Sequence, residues 1–473
     1  MPEKTSRLTK IIATIGPASR EPDVIEALIK AGTNVFRINC SHSDLATRTL
    51  TIKNIRKVSG KLKKEIGILL DLQGPKIRVG KLKNGSVSLK DKSKIILTSE
   101  FVTGTDKKFQ IVNFNKIIDT LTSSHRVLLD DGKIELKVLG KVNSKELQCQ
   151  VLFGGELKDG KGVNFPDTHL KDLNPLTDKD KKDLKHGLDN KVDLIALSFV
   201  RSAKDILALR ELLPKNSFVK IIAKIEKPQA LDDLSNILKV ADGIMVARGD
   251  LGVELSPEKL PTIQKRIIQQ ANENNVLVIT ATQMLESMIN SPKPTRAEVS
   301  DVANAIFDGT DAIMLSGETA SGKYPALTVE TMHKIALEAE SVAPRLRHDV
   351  KTVQENLARS ACELAERVKA TAIASFTLSG TTAKLVSKQR PPVKVLALTQ
   401  NEMVSRQLSL CWGTTPILLM DVYDTEAMMN LVEKTLIEHK LVKKGDIVIV
   451  TGGLPIAARG ESNFIKIHKC EGK

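Results

Sequence analysis

The sequence predicts an α/β protein in three parts: a closed (β/α)8 barrel of the TIM type, a small β-barrel lid domain inserted into it, and a C-terminal α/β open-sheet domain. Three observations carry this reading. Eight short apolar runs recur along the chain, most of them followed by an amphipathic helical stretch, which is the pattern of parallel βαβ units. Between the third and fourth runs the pattern gives way to short alternating strands separated by Gly, Lys and Asp turns. After about residue 343 a second α/β pattern begins.

In the barrel, KIIATIG is followed by the helical stretch EPDVIEALIKAG, NVFRINCSH by LATRTLTIKNIRKVSG, and IGILLDLQG ends the first portion. DLIALSFV, VKIIAKIE, GIMVARGD, VLVITATQM and AIMLSGET supply the other five strands, with helix-like segments plain after all but the last two. These runs place the barrel at residues 1–75 and 172–345. The insert, 76–171, contains GSVSLK, KIILTS, RVLLDDGKIELKVLG and ELQCQVLFGG, and it sits where a barrel's strands end, well placed to close over a substrate. The last part, 346–473, alternates TAIASFT, VKVLALT, TPILLM and DIVIVTG with helical runs, which suits an open, mainly parallel sheet.

At 473 residues the chain is long enough for about three domains with cores of their own. Apolar runs such as VLVIT and DIVIVT fall far short of the roughly 20 residues of a membrane span. MPEKTSRLTK lacks the apolar core of a secretion signal, so a cytoplasmic protein without a membrane partner is the expectation. Five scattered cysteines, Cys40, Cys149, Cys362, Cys411 and Cys470, show no metal-binding spacing and read as reduced thiols. The formal charge of +15 would suit a nucleic acid, but the lysines are interleaved with acids, aromatic residues are only 3%, and no RNA- or DNA-binding signature is present. A basic, solvated surface that attracts anionic metabolites accounts for the charge, and no nucleic-acid partner is expected.

The chemistry is concentrated at residues 219–254, where two apolar runs each end in charge, Lys224-Ile-Glu226 and then Arg248-Gly-Asp250. Side chains two apart on a strand share a face, so Lys224 and Glu226 emerge together while Asp250 arrives after the next strand. One cation beside two carboxylates suits a divalent ion held by oxygen next to a transferring phosphoryl group. Strand-end salt bridges account for either pair taken alone. Recurrence at successive strand ends favours a site, because chemistry collects at that rim of a parallel barrel.

KIIATIGPAS, VFRINCSH, LLDLQGPKIRVG, AKIEKPQAL, VARGDLGVEL and ITATQMLESMINSPKPTRAEVSDVANAIFDGTDAIMLSGETASGKYP follow one another in an order that resembles the pyruvate kinases over most of the chain. The resemblance implies Mg2+-dependent transfer of the phosphoryl group of phosphoenolpyruvate to ADP, giving pyruvate and ATP, with the insert as a lid. It implies Glu226 and Asp250 as ligands of Mg2+, for which Mn2+ can substitute, Lys224 at the transferring phosphoryl group and Arg37 at the substrate phosphate. Backbone N–H groups of Gly249 and Asp250 match the place of the substrate carboxylate, with Arg248 supporting that loop. Thr282 matches a threonine beside the enolate carbon, part of a proton relay through water with Ser316 and Glu318 behind it; read by itself it is a strand-end threonine packed by its methyl group. Asn39, Cys40, Ser41, His42, Arg78 and Lys161 match the nucleotide contacts, although packing is the simpler role for Cys40.

Thr377-Leu-Ser379-Gly380-Thr381-Thr382 follows a strand and opens a helix, and it resembles the family's sugar-phosphate effector loop, with Arg459 in the same site; a Ser/Thr-rich helix cap explains it equally well. A sugar-phosphate or nucleotide effector and a homotetramer are implied by the resemblance alone. Asp167 stands where the family often has glycine after GVN-x-P, an added acid near the lid hinge. Many members also need K+, held by residues matching Asn39, Ser41 and Asp71 and by a threonine where this chain has Leu72, and those members carry Glu where Lys76 stands. Leu72, Gln73 and Lys76 change together in the sense of the K+-independent branch, which implies that the Lys76 ammonium takes the ion's place in catalysis and that K+ is not required. Two other readings stay open. A different Mg2+-dependent barrel enzyme acting on phosphoenolpyruvate or pyruvate would not need the lid's lysine, and a catalytically silent regulatory relative would have lost Lys224, a metal carboxylate or Arg37.

Overall fold

The computed structural model describes residues 7–168, 174–344, 346, 349–419, 425–453 and 461–472. Eight parallel strands close a barrel: Lys10–Ile15, Val35–Asn39, Gly67–Asp71, Leu194–Leu197, Lys220–Ile225, Gly243–Ala247, Leu277–Ala281 and Ala312–Leu315. Each pairs with its successor, and the first pairs with the last, Lys10 opposite Ala312. The runs lack alternation because both faces are buried. Ile11, Phe36, Leu70, Ile195 and Ile221 face the helices, whereas Ile12, Val35, Leu69, Leu194, Ala196, Ile222 and Ile279 fill the barrel. Followed in steps of two toward the carboxyl end, the inward track runs from Ile12 to Thr14, Val35 to Arg37, Leu69 to Asp71, Ala196 to Ser198, and Ile222 to Lys224 and Glu226. The barrel is therefore apolar inside and ionic at one rim, and that gradient places the site.

The helices after the seventh and eighth strands, least plain in the sequence, are present but displaced. A 3-10 turn, Glu286–Ile289, precedes Arg296–Phe307, and a short turn, Gly317–Ala320, precedes Pro325–Val342. Thr295 and Glu298 start the first of these helices with a reciprocal capping box.

The insert forms a seven-stranded mixed sheet with a two-stranded ribbon beside it. Its terminal strands, Arg78–Val79 and Val163–Asn164, approach through an Arg78–Gly162 bridge, Val79 N–H donating to Lys161 O at 2.9 Å and Val163 N–H to Ile77 O at 3.0 Å. The sheet is thus nearly closed around Phe109, Phe114, Leu129 and Phe165. Lys108–Val112 is a strand beyond the four runs named above; Phe109 and Ile111 point inward, but its lysine-rich flank hides the alternation. Asp167 accepts from Arg126 Nη2 at 2.8 Å and from the Arg126 backbone N–H at 2.9 Å, so within the described residues the added acid fastens the lid's own return strand. In the outgoing hinge, Gly74 has φ 69°, and a Cβ there would lie 3.0 Å from the Phe199 ring and 3.1 Å from Ser198 O, so both conformation and space call for glycine. The return hinge around residue 171, like the expected boundary at 345, falls outside the described residues.

The C-terminal sheet runs Thr414–Leu418, Lys394–Thr399, Ala372–Phe376, Ile447–Gly452, Phe464–Lys469, with only the last strand antiparallel. Its helices seal the base of the barrel: Ala383, Val404, Leu408 and Leu410 share one core with Ile12, Val35 and Met245. Buried ions stitch the same junction. Lys388 Nζ lies 2.6 Å from Asp311 Oδ2 and donates to Asn272 Oδ1 at 2.9 Å, while Arg390 Nη2 lies 2.9 Å from Asp311 Oδ1. Burial pulls the Lys388 pKa down to about 8, against the attraction of Asp311. Removing the shared carboxylate would strand two buried cations, so Asp311→Ala should lose about 3–5 kcal/mol of stability in urea unfolding. A loss under about 1 kcal/mol would mean that this junction is water-filled and the pair is not desolvated.

Candidate functional site

Five strand ends deliver polar groups into one volume at the carboxyl rim. Arg37 Nε donates to Asp71 Oδ2 at 2.7 Å, and its Nη1 donates to Thr14 Oγ1 at 3.1 Å. Lys224 Nζ donates to Ser198 Oγ at 2.8 Å and lies 2.9 Å from Glu226 Oε1 and 3.4 Å from Asp71 Oδ1. Glu226 Oε2 accepts the backbone N–H of Phe199 at 2.7 Å. Phe199 is left-handed, φ 56°, a costly conformation for a bulky residue that here turns its N–H toward the carboxylate.

Because this layer is buried, charge must answer charge. Burial would lower the Lys224 pKa, but Asp71 and Glu226 reverse the effect and hold it above its ordinary value. Burial would raise Asp71, and Lys224 and Arg37 instead hold it below the usual carboxylate range. Glu226 is pushed up, first by burial and then by Asp250, with Lys224 opposing. Lys224 is therefore a fixed cation, suited to meeting developing negative charge rather than donating a proton.

The register Ile225 opposite Val246 sets Glu226 beside Ala247, from which the helix Arg248–Glu254 starts, so Gly249 and Asp250 lie in its first turn and not on a loop before it. Gly249 N–H donates to Thr282 Oγ1 at 2.7 Å, and that hydroxyl donates to Ala281 O at 2.6 Å. Thr282 and Gln283 have φ 71° and 53°; for a β-branched residue this is strain of order 1–3 kcal/mol. Arg248 holds the strained turn: Nη2 donates to Thr282 O at 2.7 Å and Gln283 O at 3.2 Å, and Nη1 to Asp301 Oδ1 at 2.7 Å. Arg248 thus pairs with Asp301 instead of Asp250. Buried Glu318 accepts from Leu285 N–H at 3.1 Å and Ser316 N–H at 2.7 Å, whereas the buried Ser316 hydroxyl has no hydrogen-bond partner.

The nucleotide-matching residues fall into two groups. Asn39, Cys40, Ser41 and His42 form the loop after the second strand, where Asn39 Oδ1 accepts from Ser41 N–H at 2.9 Å. The Cys40 thiol is buried, accepts from Arg48 Nη1 at 3.1 Å, and has its pKa pushed up to about 12 by burial, so only the backbone of Cys40 faces the loop's business. Burial lowers the pKa of His42, and Arg78, Arg37 and Lys76 lower it further, which marks an electropositive corner between hinge and rim. In the lid, Lys161 Nζ lies 2.7 Å from Asp130 Oδ1, and Arg78 Nη1 donates to Gly160 O at 2.8 Å. Lys76 Nζ lies 3.9 Å from Asp250 Oδ1, so its recorded ion pair is at the rim carboxylate and not at Asp71, which Arg37 and Lys224 already neutralise. The Leu72 side chain points away into the outer core.

In the C-terminal domain Gly380, φ 88°, caps the helix Thr381–Lys388. Ser379 Oγ and Thr381 Oγ1 are 3.0 Å apart, and Thr382 Oγ1 meets Ser462 Oγ at 2.7 Å. Thr377, Ser379, Thr381 and Thr382 line a cleft of about 790 Å3 that reaches Ser217 and Phe218 of the barrel. The ionic layer, and so the chemistry, is at the barrel rim and not in this cleft. Arg459 lies outside the described residues.

Four residues of the site went unread in the sequence: Thr14, Ser198, Phe199 and the supporting role of Asp301. The first two were within reach, since they continue the period-two track above Ile12 and Ala196. Phe199 acts through its backbone, and Asp301 arrives from a distant helix, so neither leaves a local signal.

The family model "Pyruvate kinase, barrel domain" matches residues 6–329 and "Pyruvate kinase, alpha/beta domain" matches residues 355–468. The chain is similar to pyruvate kinase 2 of Synechocystis sp., 46% identical over 470 residues that make up 98% of this chain and 79% of that protein. It is also similar to the pyruvate kinase of Staphylococcus saprophyticus, 45% identical over 473 residues, 98% of this chain and 80% of that one. Its fold matches the crystal structure of a pyruvate kinase from Cryptosporidium parvum with a TM-score of 0.92 at 34% identity, covering 98% of this chain and 96% of the other.

The rim carboxylates fit the divalent ion implied by that likeness. Glu226 Oε1 is buried and has no hydrogen bond aligned on it, only the adjacent ammonium, and Asp250 is partly open, so an oxygen-seeking cation would find two unsaturated hard ligands. Glu226→Gln should weaken Mn2+ binding at least tenfold when the ion is titrated by electron paramagnetic resonance without substrate. Unchanged affinity would remove Glu226 from the ligand set.

Proposed function

The chain belongs to the pyruvate kinase family, and from that premise we propose how its own residues carry phosphoryl transfer from phosphoenolpyruvate to ADP. The observation that carries the reading is the Lys224 ammonium, buried and fixed between Glu226, Asp71 and Ser198 at the point where the barrel track turns ionic. Arg37, locked in orientation by Asp71 and Thr14, binds the substrate phosphate. Lys224 meets the charge that spreads over the phosphoryl oxygens as the bond to the enolate oxygen breaks. Glu226 and Asp250 would hold Mg2+ or Mn2+, which would supply positive charge for the substrate oxygens.

The substrate carboxylate takes the N–H groups that open Arg248–Glu254, exchanging Gly249's bond to Thr282 for one to itself. That exchange frees a lone pair of Thr282 Oγ1 to accept a proton from water as its own proton turns from Ala281 O to the enolate carbon, and the Ser316 hydroxyl, unpartnered among the described residues, suits the next position of such a chain. His42, Asn39 and Ser41 on one side and Arg78 and Lys161 on the other receive the phosphates of ADP once the lid swings in, which requires Lys161 to leave Asp130. A sugar phosphate or nucleotide fits the 377–382 loop, whose hydroxyls, now paired with one another and with Ser462, and whose helix start suit a phosphate, and a cytoplasmic homotetramer fits the family.

Lys224→Met should lower phosphoryl transfer by about 10²-fold or more while exchange of the pyruvate methyl protons survives, since that step does not need the ammonium at the phosphoryl group. Equal loss of both activities would take this role from Lys224.

Lys76 concerns the monovalent ion. It carries a positive charge to the rim at Asp250, within electrostatic reach of His42 and without pairing with Asp71, and this charge stands in for the cation that a K+-requiring relative needs. Full activity is expected in tetramethylammonium buffers without K+, and Lys76→Glu should acquire a K+ requirement at reduced rate. Strong activation of the unaltered protein by K+ would show that Lys76 does not replace the ion.

A further inference from the structure

The helix Asp178–Asp189 begins just after the lid returns to the barrel, and its first two turns touch the nucleotide-matching loop, the arginine beneath that loop, and the lid's outgoing hinge. Lys179 Nζ donates to Cys40 O at 2.7 Å, in the middle of the 39–43 loop, and to Asp183 Oδ2 at 2.6 Å. Asp183 Oδ1 accepts from Arg48 Nη2 at 2.8 Å, and Arg48 Nη1 donates to Cys40 Sγ at 3.1 Å while its Nε reaches Asp44 O at 3.3 Å. Arg48 and Asp183 are both only 2% exposed. Asp180, one residue along, accepts Gly74 N–H of the outgoing hinge at 3.1 Å and closes the capping box with Thr177 at the end of the return.

We propose that Lys179 and Asp183 are positioning residues for the nucleotide: through Cys40 O and Arg48 they set the shape of the 39–43 loop, and through Asp180 the same turn ties that loop to the lid's hinge. This rests on the reading above that the loop contacts ADP. The loop is held at its root and from below. Its internal bonds, Ser41 N–H to Asn39 Oδ1 and Ser43 Oγ to Asn39 O, fix local turns, and Cys40 N–H donates to Asp71 O at 3.0 Å, which ties its root to the third strand. From below, Lys179 and Arg48 grip the carbonyl and the thiol of the same residue and share one buried carboxylate. Two cations against one acid leave a positive charge in excess beneath the loop. The cysteine makes the grip closer than a larger side chain would allow, because its small sulfur leaves the guanidinium within hydrogen-bonding reach of position 40.

The grip is specific to one substrate. Arg37 is oriented by the Asp71 carboxylate and the Thr14 hydroxyl, and the network reaches Asp71 only at its backbone, through Cys40 N–H, so phosphoenolpyruvate should be little affected by it. Lys179 is the variant of choice because its side chain is 45% exposed and its loss leaves Arg48 and Asp183 still paired. In steady-state kinetics, Lys179→Met should raise the KM for ADP at least fivefold, with kcat within threefold and the KM for phosphoenolpyruvate within twofold, and Lys179→Arg should restore most of the affinity. Asp183→Asn should move the same constants in the same direction. Asn39→Ala, within the loop, serves as the reference. If Asn39→Ala raises the KM for ADP and Lys179→Met leaves it unchanged, the positioning role is wrong and the loop's contact with ADP stands. If both leave it unchanged, the loop does not bind the nucleotide and the inference falls with that reading. If Lys179→Met raises both KM values alike together with a lower melting temperature, its role is general stability, which also overturns the proposal.

Discussion

The structure depends on one constraint, that four charges are buried together at the end of a barrel whose interior is otherwise apolar. Arg37, Asp71, Lys224 and Glu226 are each less than a tenth exposed. An unpaired charge at such a depth costs several kcal/mol, so the layer can exist only if it is balanced and hydrogen-bonded throughout. It is balanced: two cations face two carboxylates, Ser198, Thr14 and the Phe199 N–H add hydrogen bonds, and Glu226 Oε1 is answered by the Lys224 ammonium alone. Asp250 and Lys76 extend the same neutrality to the rim. A divalent cation and a phosphate-bearing anion can therefore enter together with little change in net charge, whereas either alone would leave an imbalance in a region of low dielectric.

Much of this was legible before any coordinates. The eight strands followed from apolar runs, the lid from alternation broken by turns, and the convergence of Lys224 and Glu226 from their spacing of two. What escaped had no local trace. Lys108–Val112 alternates correctly but is flanked by charge, and the helices behind the seventh and eighth strands begin only after an intervening turn. Thr282 looks like an ordinary strand end in one dimension; that it sits in a left-handed conformation is decided by Arg248, thirty-four residues earlier in the chain, whose guanidinium takes the carbonyls of Thr282 and Gln283. The supporting role of Arg248 is likewise implied in one dimension but its partner is not: Asp250 is near it in sequence, two residues of helix carry the side chains to different faces, and Asp301 from another helix takes the guanidinium.

The same strands that carry charge at one end are anchored at the other. Lys10 opens the first strand and donates to Thr414 O, Asp311 immediately precedes the eighth and holds Lys388 and Arg390, and Asp193 precedes the fourth and pairs with Arg406. With Val404 and Leu408 packed into the barrel's own core, the C-terminal domain is a floor and not an appendage. Strands of four to six residues, hydrogen-bonded on both sides in a closed ring, give little way along their length.

A rigid floor and a rigid rim leave the lid as the part that can move, and its attachments have the character of contacts made to be exchanged. Lys161 is held by Asp130 in a half-buried pair whose carboxylate is also reached by Lys133, so that carboxylate would keep a cation if a nucleotide phosphate took Lys161 as proposed. Asn164 Nδ2 donates to Glu254 Oε1 at 2.6 Å, joining the lid's return to the helix that bears Asp250, and Lys227 shares that carboxylate. One contact therefore steadies the lid against the rim while the other waits for a ligand. The strained turn at Thr282 fits the same division. It is held by Arg248 and Gly249, with Asp301 behind them, all of the barrel and none of the insert, so the position of its hydroxyl is set independently of where the insert sits.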